Sequence, residues 1–368
     1  MRVVQLVAAD RWTGAAATAL QLAEALRGAG VDCTFAFRPG HNLEKRLANV
    51  EWCLPILAKE RTAGDVCRAL ARVRAATAGA DVVHVHLPHD HLLARLALGR
   101  RNDVRLVRSV HNDKHLRGDL YHRFLFRRVA GVGLAHSEMA APAARLVDPC
   151  RVPTRVLPLA LESRFHPSGK RLTTRRRLGV SDDAAVVGTI GKIDRGRGFE
   201  IFIRALAAAP GVVGVIVGDG PARGDLQRLA AELHVAERLI WAGYLEDGLE
   251  EIYAAMDLFI FPAAGSDHAH RAIAEAAGCG LPALAAALPG VADLIDPGRT
   301  GDLFPAGDSA ALAALIVAWT GDQAWCAQAG EAAAKRAATL WTPAALAAAA
   351  LGLYRDAGVR GAADGLAR

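Results

Sequence analysis

The sequence predicts an α/β protein built as two Rossmann-like domains facing each other across a cleft. Three observations carry this. Short apolar runs of buried-strand type alternate with helix-like stretches from end to end, the pattern of parallel sheets layered with helices. A length of 368 residues suits about two domains, each with its own core. Finally, a polar and basic stretch from Ser163 to Asp183, holding Pro167 and Gly169, interrupts the alternation and reads as a linker. The domains are therefore expected at 1–165 and 166–340.

Composition narrows the class. Hydrophobic residues make up 52% and charged residues 22%, a globular rather than a disordered profile. No apolar run approaches the ~20 residues that span a bilayer, the longest being Ala344 to Leu353. The opening MRVVQLV enters a strand pattern without a charged n-region, so a cytoplasmic protein is expected. Six scattered cysteines without a CxxC pair argue for reduced thiols, with neither a disulfide framework nor a zinc site. The net charge of +6 is unevenly placed: Arg95 to Arg128 holds ten Lys or Arg against three Asp. Such a stripe suits acidic lipid headgroups or a phosphorylated glycan, and serves equally as a solvated basic face. Nucleic acid is not expected, because no binding motif is present and aromatics are only 5%.

In the first half the strands read RVVQLV, DCTFAF, DVVHVH, VRLVRSV, GVGLA and TRVLPL, with helices expected over stretches such as Ala15 to Arg27 and Asp119 to Val129. The first strand-to-helix turn carries Gly14, where a backbone can approach a ligand, although a glycine there also serves a plain turn. DVVHVHLPHDH gathers His84, His86, His89 and His91. A strand puts the first two on one face, a metal site is one reading, and cleft-lining by the last of them is the other. His111 directly follows VRLVRSV and should project from a strand's C-terminal end, where open α/β sheets bind ligands; it could also cap backbone groups there.

The second half runs through AVVGTIG, VVGVIV, RLIWA, DLFIF and PALAA. After the first of these, GTIGKIDRGRGF sets Lys192 and Arg197 in a loop with Gly191, Gly196 and Gly198. Two cations in a glycine-rich loop between strand and helix can clamp a diphosphate, Arg as a fork and Lys as a point charge. VGDGP places Gly218 and Gly220 at a second such turn. Between DLFIF and PALAA an Ala-rich helix of about three turns is expected, starting near His268 and closed by Gly278 and Gly280. Asp267 and Glu275 bracket its first turns. They can flank an anion at the helix N-terminus, while Asp267 fits a simple N-cap as well.

Taken in order, these landmarks resemble the retaining GT-B glycosyltransferases of family 4 (glycosyl transferases group 1), over nearly the whole chain. GKIDRGRGF looks like the family's basic segment, with Lys192 at its Arg position and Arg197 at its Lys position. VGDGP, Asp267 to Glu275 as the E-x7-E element, GCGLPALAA and PGVADLIDPGRTGDLFPAGD follow as in the family. DVVHVH, SVHN and FRRVAGVGLAHS look like its acceptor domain, and WTPAALAAAALGLYR like the C-terminal helix, 341–368, that crosses back onto it.

The resemblance implies transfer of a sugar from a nucleotide-sugar donor, UDP- or GDP-linked, with retention and without metal or other cofactor. Lys192 and Arg197 would hold the diphosphate, Glu275 the ribose and Asp267 the sugar hydroxyls. His111 would sit beside the reacting carbon, Gly14 and Gly191 near the phosphates, and Tyr244 beside Gly243 near the nucleobase. The acceptor is expected to be a glycan or lipid-linked glycan of the cell envelope, such as lipopolysaccharide, reached in the cytoplasm or from the inner face of the plasma membrane.

Departures from the family pattern are concentrated in one turn. Asp267 replaces a glutamate, and His268, Ala269 and His270 stand where a Gly-aromatic-Gly is usual, which restricts the backbone and adds imidazoles. This supports an alternative, a catalytically silent GT-B homologue that binds nucleotide-sugar or a partner.

Overall fold

The computed structural model describes residues 1–9, 13–40, 44, 45, 47, 49–57, 59, 62–263 and 270–359. It divides into two compact units, Met1–Ala160 with Thr342–Arg368, and Leu161–Trp341.

Among the described residues the first unit carries seven parallel strands: β1 (Arg2–Val7), β2 (Asp32–Phe37), β3 (Cys53–Leu54), β4 (Val82–Val85), β5 (Arg105–Val110), β6 (Gly131–Leu134) and β7 (Thr154–Val156). Their order is β3-β2-β1-β4-β5-β6-β7. β3 is too short to leave a readable apolar run, and the sequence does not announce it. Alternation sends Val3 and Val7 toward the helix Gly14–Gly28 on one face and Val4 and Leu6 toward Leu93, Ala94 and Val73 on the other, so the strands read as almost unbroken apolar runs. Thr342 accepts a hydrogen bond from Ala345 N–H and Pro343 occupies the first turn, which together start the helix Pro343–Asp356. That helix lays Leu346, Ala350, Leu353 and Tyr354 into the core of the first unit.

Among the described residues of the second unit six parallel strands follow: β8 (Ala185–Ile190), β9 (Val212–Val217), β10 (Leu239–Gly243), β11 (Leu258–Phe261), β12 (Ala283–Ala286) and β13 (Gly301–Phe304). The order is β10-β9-β8-β11-β12-β13. Each sheet reverses direction of growth once, between β1 and β4 and between β8 and β11, and the carboxyl ends at such a reversal form a natural ligand crevice.

Two expectations are corrected here. The stretch read as a linker, Ser163 to Asp183, contains the helix Arg171–Arg177 and belongs to the second unit. Its basic composition misled because Arg175 is fully buried, donating to the carbonyls of Ala255 (2.9 Å), Asp182 (2.7 Å) and Ala184 (2.9 Å) and to Asp257 Oδ2 (2.8 Å). The Ala-rich helix after β11 is described over Arg271–Gly278, eight residues rather than three full turns, with Gly280 at φ +81° beyond its end.

Candidate functional site

The carboxyl edge of the second sheet aligns most of the residues that the sequence singles out. Reading across it, Tyr244 follows β10, Gly218 and Gly220 follow β9, and Gly191, Lys192 and Arg197 follow β8. The turns lock together through backbone. Gly191 N–H donates to Val217 O at 3.0 Å, Ile193 N–H to Asp219 O at 3.0 Å, and Gly218 N–H to Gly243 O at 2.8 Å. The glycines are required by this contact: a Cβ on Gly218 would overlap the Gly191 carbonyl, one on Gly220 the Ile193 carbonyl, and one on Gly198 the Pro262 carbonyl. The β8 loop is thus seated on both neighbouring loops by backbone alone.

Within that loop Lys192 is exposed and Arg197 half-buried. Lys192 Nζ meets Asp194 Oδ2 at 2.9 Å, and Lys192, the Arg195 N–H and Arg197 together hold the Asp194 carboxyl below its usual range. Asp194 therefore occupies the field that an incoming phosphate would share. The helix Phe199–Ala207 starts directly after it with Gly198 in the left-handed region and no side-chain cap, which leaves its first N–H groups available to an anion. Tyr244 is 74% exposed, its ring unburied at the edge of the sheet.

Glu275 is turned inward instead. It is buried, accepts from Arg271 Nε at 2.8 Å and from the Tyr253 hydroxyl at 3.3 Å, and Arg271 also reaches Glu162 at 3.0 Å. Burial raises its pKa, with Arg271 opposing. Tyr253, 22 residues away, is not signalled by the sequence, whereas the i,i+4 spacing of Arg271 and Glu275 on one helix was an available signal. His270 lies at the start of the same helix with its ring edge-on to Phe261 at 5.7 Å. Asp267, His268 and Ala269 lie outside the described residues.

In the first unit Gly14 opens its helix under a Thr13 cap, and a Cβ there would meet nothing within 4 Å; the fold itself does not demand a glycine at this position. His111 stands directly after β5 on a column of buried polar groups. His86 Nδ1 lies 3.1 Å from His111 Nε2, and the three rings of His84, His86 and His111 stack with centroids 4.7 and 5.4 Å apart. His84 is held by the Tyr354 hydroxyl at 2.7 Å and Ser109 Oγ at 2.8 Å. Beside the column, Arg108 faces Asp90 at 3.7 Å, both fully buried, and Asp90 also accepts from Leu87 N–H at 2.7 Å.

Burial, reinforced by Arg108, drives these imidazoles toward the neutral form, His84 and His111 down to about 3 and His86 well below its ordinary value. Burial also lifts Asp90 to about 7. The reading of the last histidines in DVVHVHLPHDH as cleft-lining fails for His91, which is buried edge-on to Phe126. Among the described residues no group of three or more His, Cys, Asp or Glu is arranged to hold a metal ion. Polar residues inside strand runs were the available signal for the column: Gln5 in RVVQLV, and Arg108 and Ser109 in VRLVRSV.

The chain matches two family descriptions, Glycosyltransferase Family 4 over residues 12–170 and Glycosyl transferases group 1 over residues 184–322. Among relatives, it is 30% identical over 200 residues to 2-deoxystreptamine N-acetyl-D-glucosaminyltransferase of Streptomyces fradiae, covering 52% of this chain and 47% of that one. Identity to D-inositol 3-phosphate glycosyltransferase of Acidothermus cellulolyticus is 30% over 273 residues, 64% of this chain and 58% of that one. The chain thus spans about half the length of these relatives. Its fold is shared with Anabaena Alr3699/HepE in complex with UDP, at a TM-score of 0.82 and 20% identity over 94% of this chain and 97% of that one. The apo lipopolysaccharide outer core galactosyltransferase WaaB gives a TM-score of 0.72 at 14% identity over 97% and 99%. Both sheets, with seven and six parallel strands, are those of the GT-B fold.

Proposed function

From a chain that belongs to the family 4, group 1 glycosyltransferases, we propose an enzyme that moves a sugar from a nucleotide-sugar donor to a glycan or glycolipid acceptor, with retention at the anomeric carbon. The observation that carries this reading is the glycine-locked loop of Gly191 to Gly198, which offers Lys192, Arg197 and an uncapped helix start on one carboxyl edge. Breaking the glycosidic bond moves negative charge onto the departing diphosphate. Cations and N–H groups fixed in advance stabilise that charge as it grows, which lowers the barrier more than it tightens ground-state binding. A UDP-sugar is the first donor to test, because the Anabaena neighbour is described with UDP and with UDP-glucose. Glu275 would have to exchange its Arg271 partner for ribose hydroxyls when the donor binds.

Calorimetric titration with UDP, GDP, ADP and CMP tests this, followed by product analysis with the matching sugar donor. One nucleotide is expected to bind in the micromolar range, and turnover is expected only with an acceptor present. Absence of binding by all four would leave a silent homologue with a dismantled donor site.

The basic face supports an anionic acceptor or surface, such as a lipid-linked, lipopolysaccharide-type glycan on the cytoplasmic side of the plasma membrane. Leu120 is 86% exposed, and Tyr121, Phe124 and Leu96 are exposed with it. Leu96 and Phe124 share a hollow of about 320 Å³ with Arg95, Arg127 and Arg128. Apolar and cationic groups mixed in this way suit an acidic interface. Sedimentation with vesicles at low salt should show binding to phosphatidylglycerol-rich and not to phosphatidylcholine vesicles; indifference to both removes the membrane from this reading.

A further inference from the structure

The polar column beneath His111 begins at Gln5, in the middle of β1, whose side chain is fully buried. With its amide nitrogen toward the helix Gly14–Gly28, Gln5 donates to the Ala19 carbonyl at 3.0 Å and to His86 Nε2 at 2.9 Å, while its oxygen accepts from Ala23 N–H at 3.1 Å. Turning the amide over would press its oxygen against the Ala19 carbonyl oxygen, two acceptors in contact at a fully buried side chain. Ala19 O is a backbone atom of a packed helix and does not move aside. The fold therefore fixes which end of Gln5 faces His86.

Consequences run outward along the column. A neutral imidazole has one N–H and one lone pair. His86 accepts at Nε2, so its proton is on Nδ1. That proton lies toward His111 Nε2 at 3.1 Å, so His111 accepts there and carries its own proton on Nδ1.

We propose that Gln5 and His86 are positioning residues that set the tautomer of His111, so that it presents Nδ1–H as a hydrogen-bond donor and not a lone pair. This rests on the reading above that His111 stands beside the reacting carbon. In that role His111 donates to a sugar hydroxyl or phosphate oxygen and removes no proton from the acceptor. Its neutrality, from burial and Arg108, keeps this N–H in place across the physiological range.

Imidazole nitrogen-15 spectra of the full-length protein at pH 7 test the assignment directly, with His111→Asn and His86→Asn identifying the signals. Both rings are expected to be protonated at Nδ1. A His111 ring protonated at Nε2, or a cationic one, would overturn the proposal. In Gln5→Met, a swap of similar volume without the amide donor, both rings should become tautomer mixtures. Under the proposed activity kcat should fall about tenfold while donor KM stays within twofold. Unchanged tautomers in a folded Gln5→Met protein would also sink it. Because the spectra need no turnover, a correct tautomer in a protein that transfers nothing would leave the relay standing and remove the catalytic reading.

Discussion

Gly218 lies directly against the carbonyl of Gly191, with φ at +134° and no room for a Cβ. The contact joins the exits of β8 and β9, so it fixes the height at which the Lys192 loop leaves the sheet. Gly218→Ala combines a forbidden backbone conformation with a backbone overlap, each of the order of 1–3 kcal/mol. The variant is expected to lose about 2–5 kcal/mol in urea unfolding. Tryptophan fluorescence can follow it, since Trp241, Trp319, Trp325 and Trp341 all belong to the second unit.

Lys192→Ala and Arg197→Ala should leave unfolding nearly unchanged, because Lys192 is exposed and Arg197 half-buried. Each removes a charge-assisted contact to phosphate, and should weaken nucleoside-diphosphate binding by about tenfold to a hundredfold. The matching nucleoside, which lacks the phosphates, should bind equally to wild type and variants. Calorimetry with both ligands decides whether these side chains hold the diphosphate.

How much of this was legible beforehand follows from the chemistry of each signal. Parallel strands buried on both faces leave continuous apolar runs, so β1, β2, β8 and β9 could be read almost to the residue. A two-residue strand such as β3 leaves no run, and β13, as GDLF after a turn, is too short and mixed to stand out. The glycines and cations of the β8 loop were visible because a phosphate-type loop needs them in one short segment. The Tyr253 hydroxyl on Glu275 and the Gln5–His86–His111 chain were not, since each joins residues far apart in sequence and only the fold brings them together, whereas Arg271 lies one helical turn from Glu275. Arg175 misled for the same reason: an arginine-rich stretch reads as solvated until its acceptors are known.

Arg175 itself gives a clear stability test. Its guanidinium satisfies three carbonyls and Asp257, tying the helix Arg171–Arg177 to the entrances of β8 and β11. Arg175→Met keeps much of the apolar stem but takes the guanidinium from the carbonyls of Ala255, Asp182 and Ala184, while Asp257 keeps Arg171 and the Val186 N–H as donors. Loss of about 3–5 kcal/mol is expected, from carbonyls left without the donor that satisfied them. Lys is expected to recover only part of it, since an ammonium cannot reach all four acceptors in the plane of the fork.

Acid should undermine the first unit through its buried histidines. His84 and His111 titrate at about 3 in the fold, and His86 and His91 well below the ordinary value, all with burial as the leading cause. The unfolded chain takes up these protons near pH 6.5 and the folded chain refuses them, so stability is lost as pH falls from 6.5 toward 3, at about 1.4 kcal/mol per pH unit for each such group. Asp90 works in the other direction. Raised to about 7 from 3.8, it keeps its proton in the fold where the unfolded chain loses it, and so favours the fold as pH falls through that window. Four histidines outweigh one aspartate, and the net slope must be destabilising below pH 6.5. Hydrogen exchange of β4 and β5 amides at pH 7 and 5, corrected for intrinsic rates, should show lower protection at pH 5. His84→Gln, which loses the titrating ring but retains a hydrogen-bonding side chain, should flatten the difference by about one group's share, whereas equal protection at both pH values would mean that the column takes up protons without unfolding.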